Sequence, residues 1–260
     1  MNQRKRLMMD LERAMKKPLS QRSWVMIIDI RKCVGCTSCV VACAAENVCS
    51  PGTSYRWVFD QEFGDYPNVD RFFMPTNCQQ CDNPPCKRAA DKYAKGGITK
   101  RPDGIVRFDY IKLANHKMAA KTAKEACPYG AISYDYGQYY TDGTPRREPY
   151  ETRTFLAYND SLSRKETTGS IRKCTFCAHR LDNGMLPACV TTCIGDAMYF
   201  GDANDPKSKV HELMRKNRWN PHASLGTKPR VYYIGYEKRA NIAFATNKTC
   251  EMCHGEGGKL

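Results

Sequence analysis

Fifteen cysteines in 260 residues constrain this chain more than any other feature of its sequence. Most of them stand in C-x-x-C groups with short fixed spacings, and thiols grouped in this way are typical of metal sites rather than of a disulfide framework. The chain is long enough to bury substantial cores, so we expect the metal sites to be held inside folded units. The mean hydropathy is -0.62, and the absence of any apolar run near 18 residues predicts no membrane span.

The first cysteine group is DIRKCVGCTSCVVACAAEN, which has the spacing C-x2-C-x2-C-x3-C. This spacing is typical of bacterial ferredoxins, where three thiolates hold one [4Fe-4S] cubane and the fourth ligates the other cluster of a pair. Small residues such as Gly35 let the loop turn tightly and direct backbone N–H groups at the sulfurs. WVMIIDI before the group predicts a strand, and VVACAAEN predicts a helix. The four thiols are Cys33, Cys36, Cys39 and Cys43.

Two further groups follow. NCQQCDNPPC carries three cysteines, EACPYGAI adds a solitary one, and KCTFCAHRLDNGMLPACVTTCIGDA carries another four. CPYGAISYD and CIGDAMYFGD resemble one piece of structure used twice, which predicts two ferredoxin-like units. These eight thiols are Cys78, Cys81, Cys86, Cys127, Cys174, Cys177, Cys189 and Cys193.

Twelve grouped thiols are enough for three complete cubanes. Zinc is the alternative metal, although zinc sites seldom interleave so many thiols in such runs. Of the three cysteines left over, Cys49 is expected to be a buried free thiol. No set of residues resembles a nucleophile with its base, so we predict no catalytic residues.

The formal net charge of +14 would suit a nucleic-acid-binding protein. Three cubanes at roughly -2 each would, however, offset about six of these charges. We therefore interpret the basic excess as compensation for anionic cofactors, with the rest available to an acidic partner, and expect no nucleic acid.

The cysteine groups resemble the iron-sulfur electron-transfer (beta) subunit of the molybdopterin oxidoreductases, a four-cluster ferredoxin subunit. The likeness covers residues 24–235 and includes PDGIV, CPYGAI, CTFCAHR, PACV, FGDANDPKSKV and LGTKPRVYYIG. The last four stretches are most similar to the dimethyl sulfoxide, polysulfide and tetrathionate reductase branch. The resemblance implies an α+β fold of two interleaved bacterial-ferredoxin-like units with long loops and an extended C-terminal tail.

The resemblance also implies how the ligands are shared among clusters. The sets are Cys33, Cys36, Cys39 and Cys193; Cys43, Cys174, Cys177 and Cys189; and Cys78, Cys81, Cys86 and Cys127. A fourth cluster would need cysteines at four positions, where this chain has Ala90, Lys117, Ala120 and Ala123. In the family this cluster lies nearest the membrane subunit, so the usual electron exit is expected to be lost. His179, inside CTFCAHR, is expected to lie near a cluster and tune it.

Composition and resemblance together predict the organisation of the chain. The N-terminal segment places Leu7, Met8, Leu11 and Met15 on one side of a helix, with a frayed basic arm as the alternative. The polar segment after the second unit suits a loop ordered by a partner, or a solvated excursion. The parts are an N-terminal arm or helix, 1–23; a split first ferredoxin-like unit with two clusters, 24–69 and 172–202; an inserted second unit with one cluster and one vacated site, 70–136; a partner-facing loop, 137–171; a C-terminal wrapping segment with RVYYIGY as a strand, 203–246; and a haem attachment tail, 247–260.

The C-terminal stretch NKTCEMCHGEGGKL contains Cys250, Cys253 and His254 in the C-x-x-C-H spacing of a covalent haem c site. The alternative is a loose tail that binds zinc or nothing, because such short patterns recur by chance. We expect a haem that replaces the lost exit. Its second axial ligand is expected from a partner chain, or from His116 or Met118 at the vacated site.

The expected function is electron transfer in anaerobic respiration, between a molybdopterin-type catalytic subunit and a cytochrome c or membrane quinone-binding subunit. The alternatives are the iron-sulfur subunit of a cytochrome-to-quinone oxidoreductase with a non-catalytic molybdopterin-like partner, a structural iron-sulfur scaffold, or a self-contained oxidoreductase. Haem c is attached outside the cytoplasm, and the sequence carries no evident export signal. We therefore expect a periplasmic protein exported already folded with a partner, with a cytoplasmic location as the alternative.

Overall fold

The computed structural model describes residues 2–50, 52–136, 169–237 and 240. Helices and strands are interspersed along these ranges, in a mixed α and β fold. The helices are α1 Gln3–Met15, α2 Ser38–Glu46, α3 Pro85–Ala90, α4 Tyr110–Asn115, α5 Lys117–Glu125, α6 Ala178–Asp182, α7 Ala188–Thr192 and α8 Lys209–Met214. The strands are β1 Trp24–Asp29, β2 Arg56–Phe63, β3 Asp70–Asn77, β4 Ile98–Lys100, β5 Val106–Phe108, β6 Ser133–Tyr134, β7 Ile171–Arg172, β8 Met198–Asp202 and β9 Val231–Ile234.

A three-stranded sheet of order β8-β1-β9 lies in the larger of two cores. β1 pairs antiparallel with β8 and parallel with β9, and every residue of β1 is buried. Strands covered on both faces are near-continuous apolar runs, which is the pattern of WVMIIDI. The strand predicted there is confirmed, as is the helix predicted for VVACAAEN, which lies in α2 apart from its last residue, Asn47, the C-cap.

Helix α1 lies across β8 and α8. It buries Leu7 and Leu11 in the larger core. An ion pair between Arg13 and Asp205, 2.9 Å apart, holds its C-terminal half in place. The N-terminal segment is thereby attached to residues almost 200 positions later in the chain.

The β2–β3 hairpin carries the chain from the first cysteine group to the second. Arg56, the first residue of β2, pairs in register with Asn77, the last residue of β3. Asn77 directly precedes Cys78. The hairpin register therefore places Arg56 beside the start of the second cysteine group.

A second, smaller core surrounds α3 and α5, which pack against each other. The β4–β5 hairpin contributes Ile98 and Val106 to it. Strands β6 and β7 pair residues 133–134 with residues 171–172, so the chain on either side of the intervening segment lies side by side. The fully buried side chains of Arg172 and Asp135 form an ion pair there, 2.9 Å apart.

Helix α2 packs against α7, which brings residues near 40 against residues near 190. The segment after β8 stays on the same body, because α8 packs on β8 and β9 joins the central sheet. None of the helices in the described part of the chain is long and apolar enough to cross a membrane.

Candidate metal centres

Two groups of four thiols each line a cavity. All the cysteines in the described ranges are free thiols. The first cavity is lined by Cys33, Cys36, Cys39 and Cys193, and the second by Cys78, Cys81, Cys86 and Cys127.

A third group of thiols converges between α2, α6 and α7. Cys43 interacts electrostatically with Cys177, Cys174 and Cys189. Cys177 in turn interacts with Cys189 and Cys174. All four are buried. The structure therefore gathers into three groups the same twelve cysteines that were singled out from the sequence.

The donor chemistry of these groups suits an iron-sulfur cluster. Thiolates are the soft ligands that such clusters require, four to a cubane. Four thiols line each of the first two cavities. The residues present there fit such a cluster.

Backbone geometry brings N–H groups to several sulfurs. Phe176 N–H donates to Cys174 Sγ at 3.4 Å, and Ala197 N–H donates to Cys193 Sγ at 3.3 Å. Gly35 has a φ of +70°, and a Cβ there would lie 2.5 Å from the Phe73 ring. Only glycine fits both the left-handed backbone and the close approach of that ring, so the tight loop expected around Gly35 is present.

Burial alters the acidity of these thiols. It raises the pKa of Cys39 to about 11 and that of Cys86 to about 12. At Cys36, by contrast, a hydrogen bond with the Ser38 side chain lowers the pKa, and its side chain is exposed. Because ligation requires thiolates, loading most of these sites must displace protons.

Two buried cations lie among the thiol groups, and sequence reasoning missed both. The pKa of Arg56 is lowered by burial, but neighbouring thiols, Cys189 first, raise it by more. Lys173 lines the second cavity, and its Nζ donates to the carbonyls of Val106 and Cys174 at 2.6 and 2.9 Å. A charged residue flanked by aromatic and aliphatic neighbours, as in SYRWVF, was the only signal the sequence offered for Arg56.

His179 lies beside the third group. Its Nε2 is 2.8 Å from Glu46 Oε1, and Arg180 Nη1 is 2.7 Å from Glu46 Oε2. Burial lowers the pKa of His179, against the opposing effect of Glu46. His179 follows Cys177 by two residues and Glu46 follows Cys43 by three, so this contact joins two segments that both carry thiols of the third group.

Three of the four positions that would serve a fourth cluster lie in the smaller core. Ala90, Ala120 and Ala123 are almost completely buried where α3 packs on α5. The fourth, Lys117, is exposed, and so are His116 and Met118. Direct packing of the two helices thus occupies the space between these alanines.

The C-x-x-C-H residues Cys250, Cys253 and His254 lie outside the described residues, as does most of the predicted partner-facing loop. Cys49 is a free thiol as expected, but it is half-buried rather than fully buried, and burial raises its pKa to about 11.

Comparison with known proteins assigns these features to a family. The 4Fe-4S dicluster domain matches residues 69–143 and 140–203. The chain is 46% identical to a selenate reductase subunit of Mesobacillus selenatarsenatis over 88% of this chain and 77% of that one. It is 34% identical to the arsenate respiratory reductase iron-sulfur subunit ArrB of a Shewanella species, over 80% of this chain and 94% of that one.

A third relative is a tetrathionate reductase subunit of Salmonella typhimurium, 32% identical over 82% of this chain and 73% of that one. The dicluster domain match covers eight of the grouped cysteines, from Cys78 to Cys193. The chain therefore belongs to the family of iron-sulfur electron-transfer subunits of the molybdopterin oxidoreductases.

Proposed function

We propose that this chain holds three [4Fe-4S] clusters and a covalently attached haem c. It would pass single electrons between a molybdopterin-type catalytic subunit and a cytochrome c or membrane quinone-binding subunit. When bound, the clusters supply one-electron oxidation and reduction. The chain's own residues hold them, shield them from water and donate hydrogen bonds to the sulfurs.

The observation that carries this proposal is the convergence of thiols that are far apart in sequence. Cys193 lines the same cavity as Cys33, and Cys127 the same cavity as Cys78. The proposed ligand sets follow these groups: Cys33, Cys36, Cys39 and Cys193; Cys43, Cys174, Cys177 and Cys189; Cys78, Cys81, Cys86 and Cys127. In such an interleaved arrangement, neither half of the first ferredoxin-like unit completes a site alone.

The fourth cluster site of the family is proposed to be lost in this chain. The buried alanines of α3 and α5 support this, because they provide no ligand and pack directly together. The same packing argues against a haem lodged between these helices, since a haem there would have to separate them. We therefore propose that the second axial ligand of a haem on His254 comes from a neighbouring subunit.

The docking edge for one partner is proposed at the first cavity. Cys36 is exposed, and its neighbour Val34, which also lines that cavity, is 58% exposed. Ile194, next to Cys193, is 65% exposed. Apolar side chains around a redox site favour a close, dry contact, which suits the catalytic subunit.

The relatives belong to reductases of selenate and arsenate, and the partner proposed here is a catalytic subunit of the same oxyanion-reducing class. A haem c implies a periplasmic location, reached by export with that partner. The protein would then act in anaerobic respiration.

Redox titration of the purified complex, followed by EPR, tests the function. An electron-transfer subunit must show clusters that are reduced by dithionite and reoxidised when the complex's own oxyanion substrate is added. Clusters that stay reduced after substrate addition, in a complex that still turns over, would identify a structural scaffold instead.

A further inference from the structure

Arg56 is a buried cation with an unfilled hydrogen-bonding position. Its side chain is 1% exposed. Nη2 donates to Asn77 Oδ1 at 2.8 Å and to Met26 Sδ at 3.1 Å. Nη1 has no hydrogen-bond partner among the residues that the structure describes. Buried polar groups are almost always hydrogen-bonded, so a missing acceptor is indicated.

The surroundings of Arg56 identify that acceptor. The neighbouring groups that stabilise its charge are thiols: Cys189, Cys39, Cys174 and Cys43. Cys39 lines the first cavity, whereas the other three belong to the third group of thiols. Asn77, which Arg56 holds, also points its Nδ2 toward Cys174 Sγ, at 3.7 Å. Arg56 therefore lies near thiols of both the first cavity and the third group, and its partner Asn77 contacts one of them.

We propose that Arg56 sets the reduction potential of the clusters on either side of it. Its Nη1 donates to a sulfur of the bound cofactor, and its fixed charge favours the reduced state. The inference rests on the proposed function, because it requires clusters in the Cys33 set and the Cys43 set.

The physical basis is the sign of the charge. One-electron reduction makes a cluster more negative, and a cation buried beside it stabilises the added electron more strongly than it would in water. Hydrogen bonds to the sulfurs act in the same direction and are among the known determinants of cluster potential. Arginine keeps its charge at all relevant pH values, so this contribution is permanent.

The effect should be local. The cation beside the second cavity is Lys173, which interacts with Cys86 and Cys127. Removing Arg56 should therefore lower the potentials of the clusters held by the Cys33 and Cys43 sets and leave that of the Cys78 set unchanged. The cluster of the Cys78 set is therefore an internal control in every sample.

The test uses the intact complex with Arg56→Met, Arg56→Lys and the control Arg71→Met, an exposed arginine on the same hairpin. Iron is counted first, and redox titration by EPR follows. In Arg56→Met we expect the ratio of reduced to oxidised cluster, at a fixed potential, to fall about tenfold for the neighbouring clusters, a shift of about 59 mV. Arg56→Lys should recover most of this shift because it keeps the charge. Arg71→Met should change nothing.

A second measurement covers the case in which Arg56→Met assembles no clusters. With ¹⁵N-arginine in the otherwise unaltered complex, pulsed EPR should detect a ¹⁵N coupling to a reduced cluster, and Arg56→Lys should abolish it. Absence of that coupling, or full iron content with unchanged potentials in Arg56→Met, overturns the inference alone. An unaltered complex with far fewer than about twelve cluster irons per chain overturns the proposed function as well.

Discussion

His179 Nε2 lies 2.8 Å from Glu46 Oε1, across more than 130 residues of sequence. The same carboxylate accepts a hydrogen bond from Arg180. Glu46 ends the helix that carries Cys39 and Cys43, and His179 is the second residue of the helix that follows Cys177. This contact therefore holds together two segments that both supply thiols to one site.

Glu46→Ala should destabilise the protein by about 3–5 kcal/mol, because it removes the carboxylate that pairs with the side chains of His179 and Arg180, which are only 8% and 17% exposed. The expected result is a lower midpoint temperature for loss of the cluster absorbance. Glu62→Ala, at an exposed position of β2, is the control and should change stability by less than about 0.5 kcal/mol. Equal midpoints for the two variants would mean that the Glu46 contacts contribute nothing net.

Iron and acid-labile sulfide should each come to about twelve per chain in the cluster fraction, and Cys127→Ala should lower the iron to about eight or nine. Cys49→Ala is the matched control, because Cys49 is a free thiol outside the three groups. A loss of iron in Cys49→Ala equal to that in Cys127→Ala would contradict the proposed ligand sets.

Haem staining of the denatured, separated chain should be positive and should disappear in Cys250→Ala/Cys253→Ala, since thioether bonds survive denaturation. His254→Ala should keep the stain but lose the low-spin absorption bands. His116→Ala is the control and should retain both signals, because its side chain lies beside helices that pack directly on each other. An unstained native chain would leave electron exit to the cluster of the Cys78 set.

The attachment of α1 should weaken in acid. Burial tends to raise the pKa of Asp205, but hydrogen bonds from Lys207 N–H and Arg13, with the charge of Arg13, lower it overall. Its stabilising contribution is thus complete above the ordinary aspartate pKa of about 3.9 and is lost as the pH falls through the lowered value.

Hydrogen exchange of the α1 amides, corrected for the intrinsic rate, should therefore accelerate below about pH 4. In Asp205→Asn, α1 should exchange faster already at neutral pH and respond less to acid. Asp60→Asn, which removes an exposed pairing with Arg71, should resemble the unaltered protein. An unchanged acid response in Asp205→Asn would rule out this ion pair as its source.

Lys173→Met should lower the reduction potential of the cluster held by the Cys78 set. Lys173 lines that cavity, and its positive charge would stabilise the reduced cluster. Its Nζ also lies 5.0 Å from the Phe108 ring centroid. The substitution nearly conserves volume, so the fold should persist. Lys207→Met, at an exposed position, is the control. EPR titration of both variants decides the matter, and equal potentials would assign Lys173 a purely structural role.

Much of the site could be predicted from the sequence because cluster ligation is partly local. The spacing of Cys33, Cys36 and Cys39 lies within one loop and one helical turn, so those thiols must be neighbours in any fold that forms. The apolar run at Trp24–Asp29 likewise had few alternatives to a buried strand. The absence of thiols at Ala90 and Ala123 was also visible in the sequence.

What the tertiary structure alone decided is which distant side chains meet. Arg56 faces the thiols of two groups because the β2–β3 register sets it opposite Asn77. Lys173 lies in the second cavity because β7 pairs with β6. Local sequence preferences predict neither position. The partner of a strand residue is set by the strand register, and the register depends on long-range packing. The sequence by itself thus determined the type of cofactor site and the thiols grouped there, whereas the buried charges that surround those thiols were determined by the assembled fold.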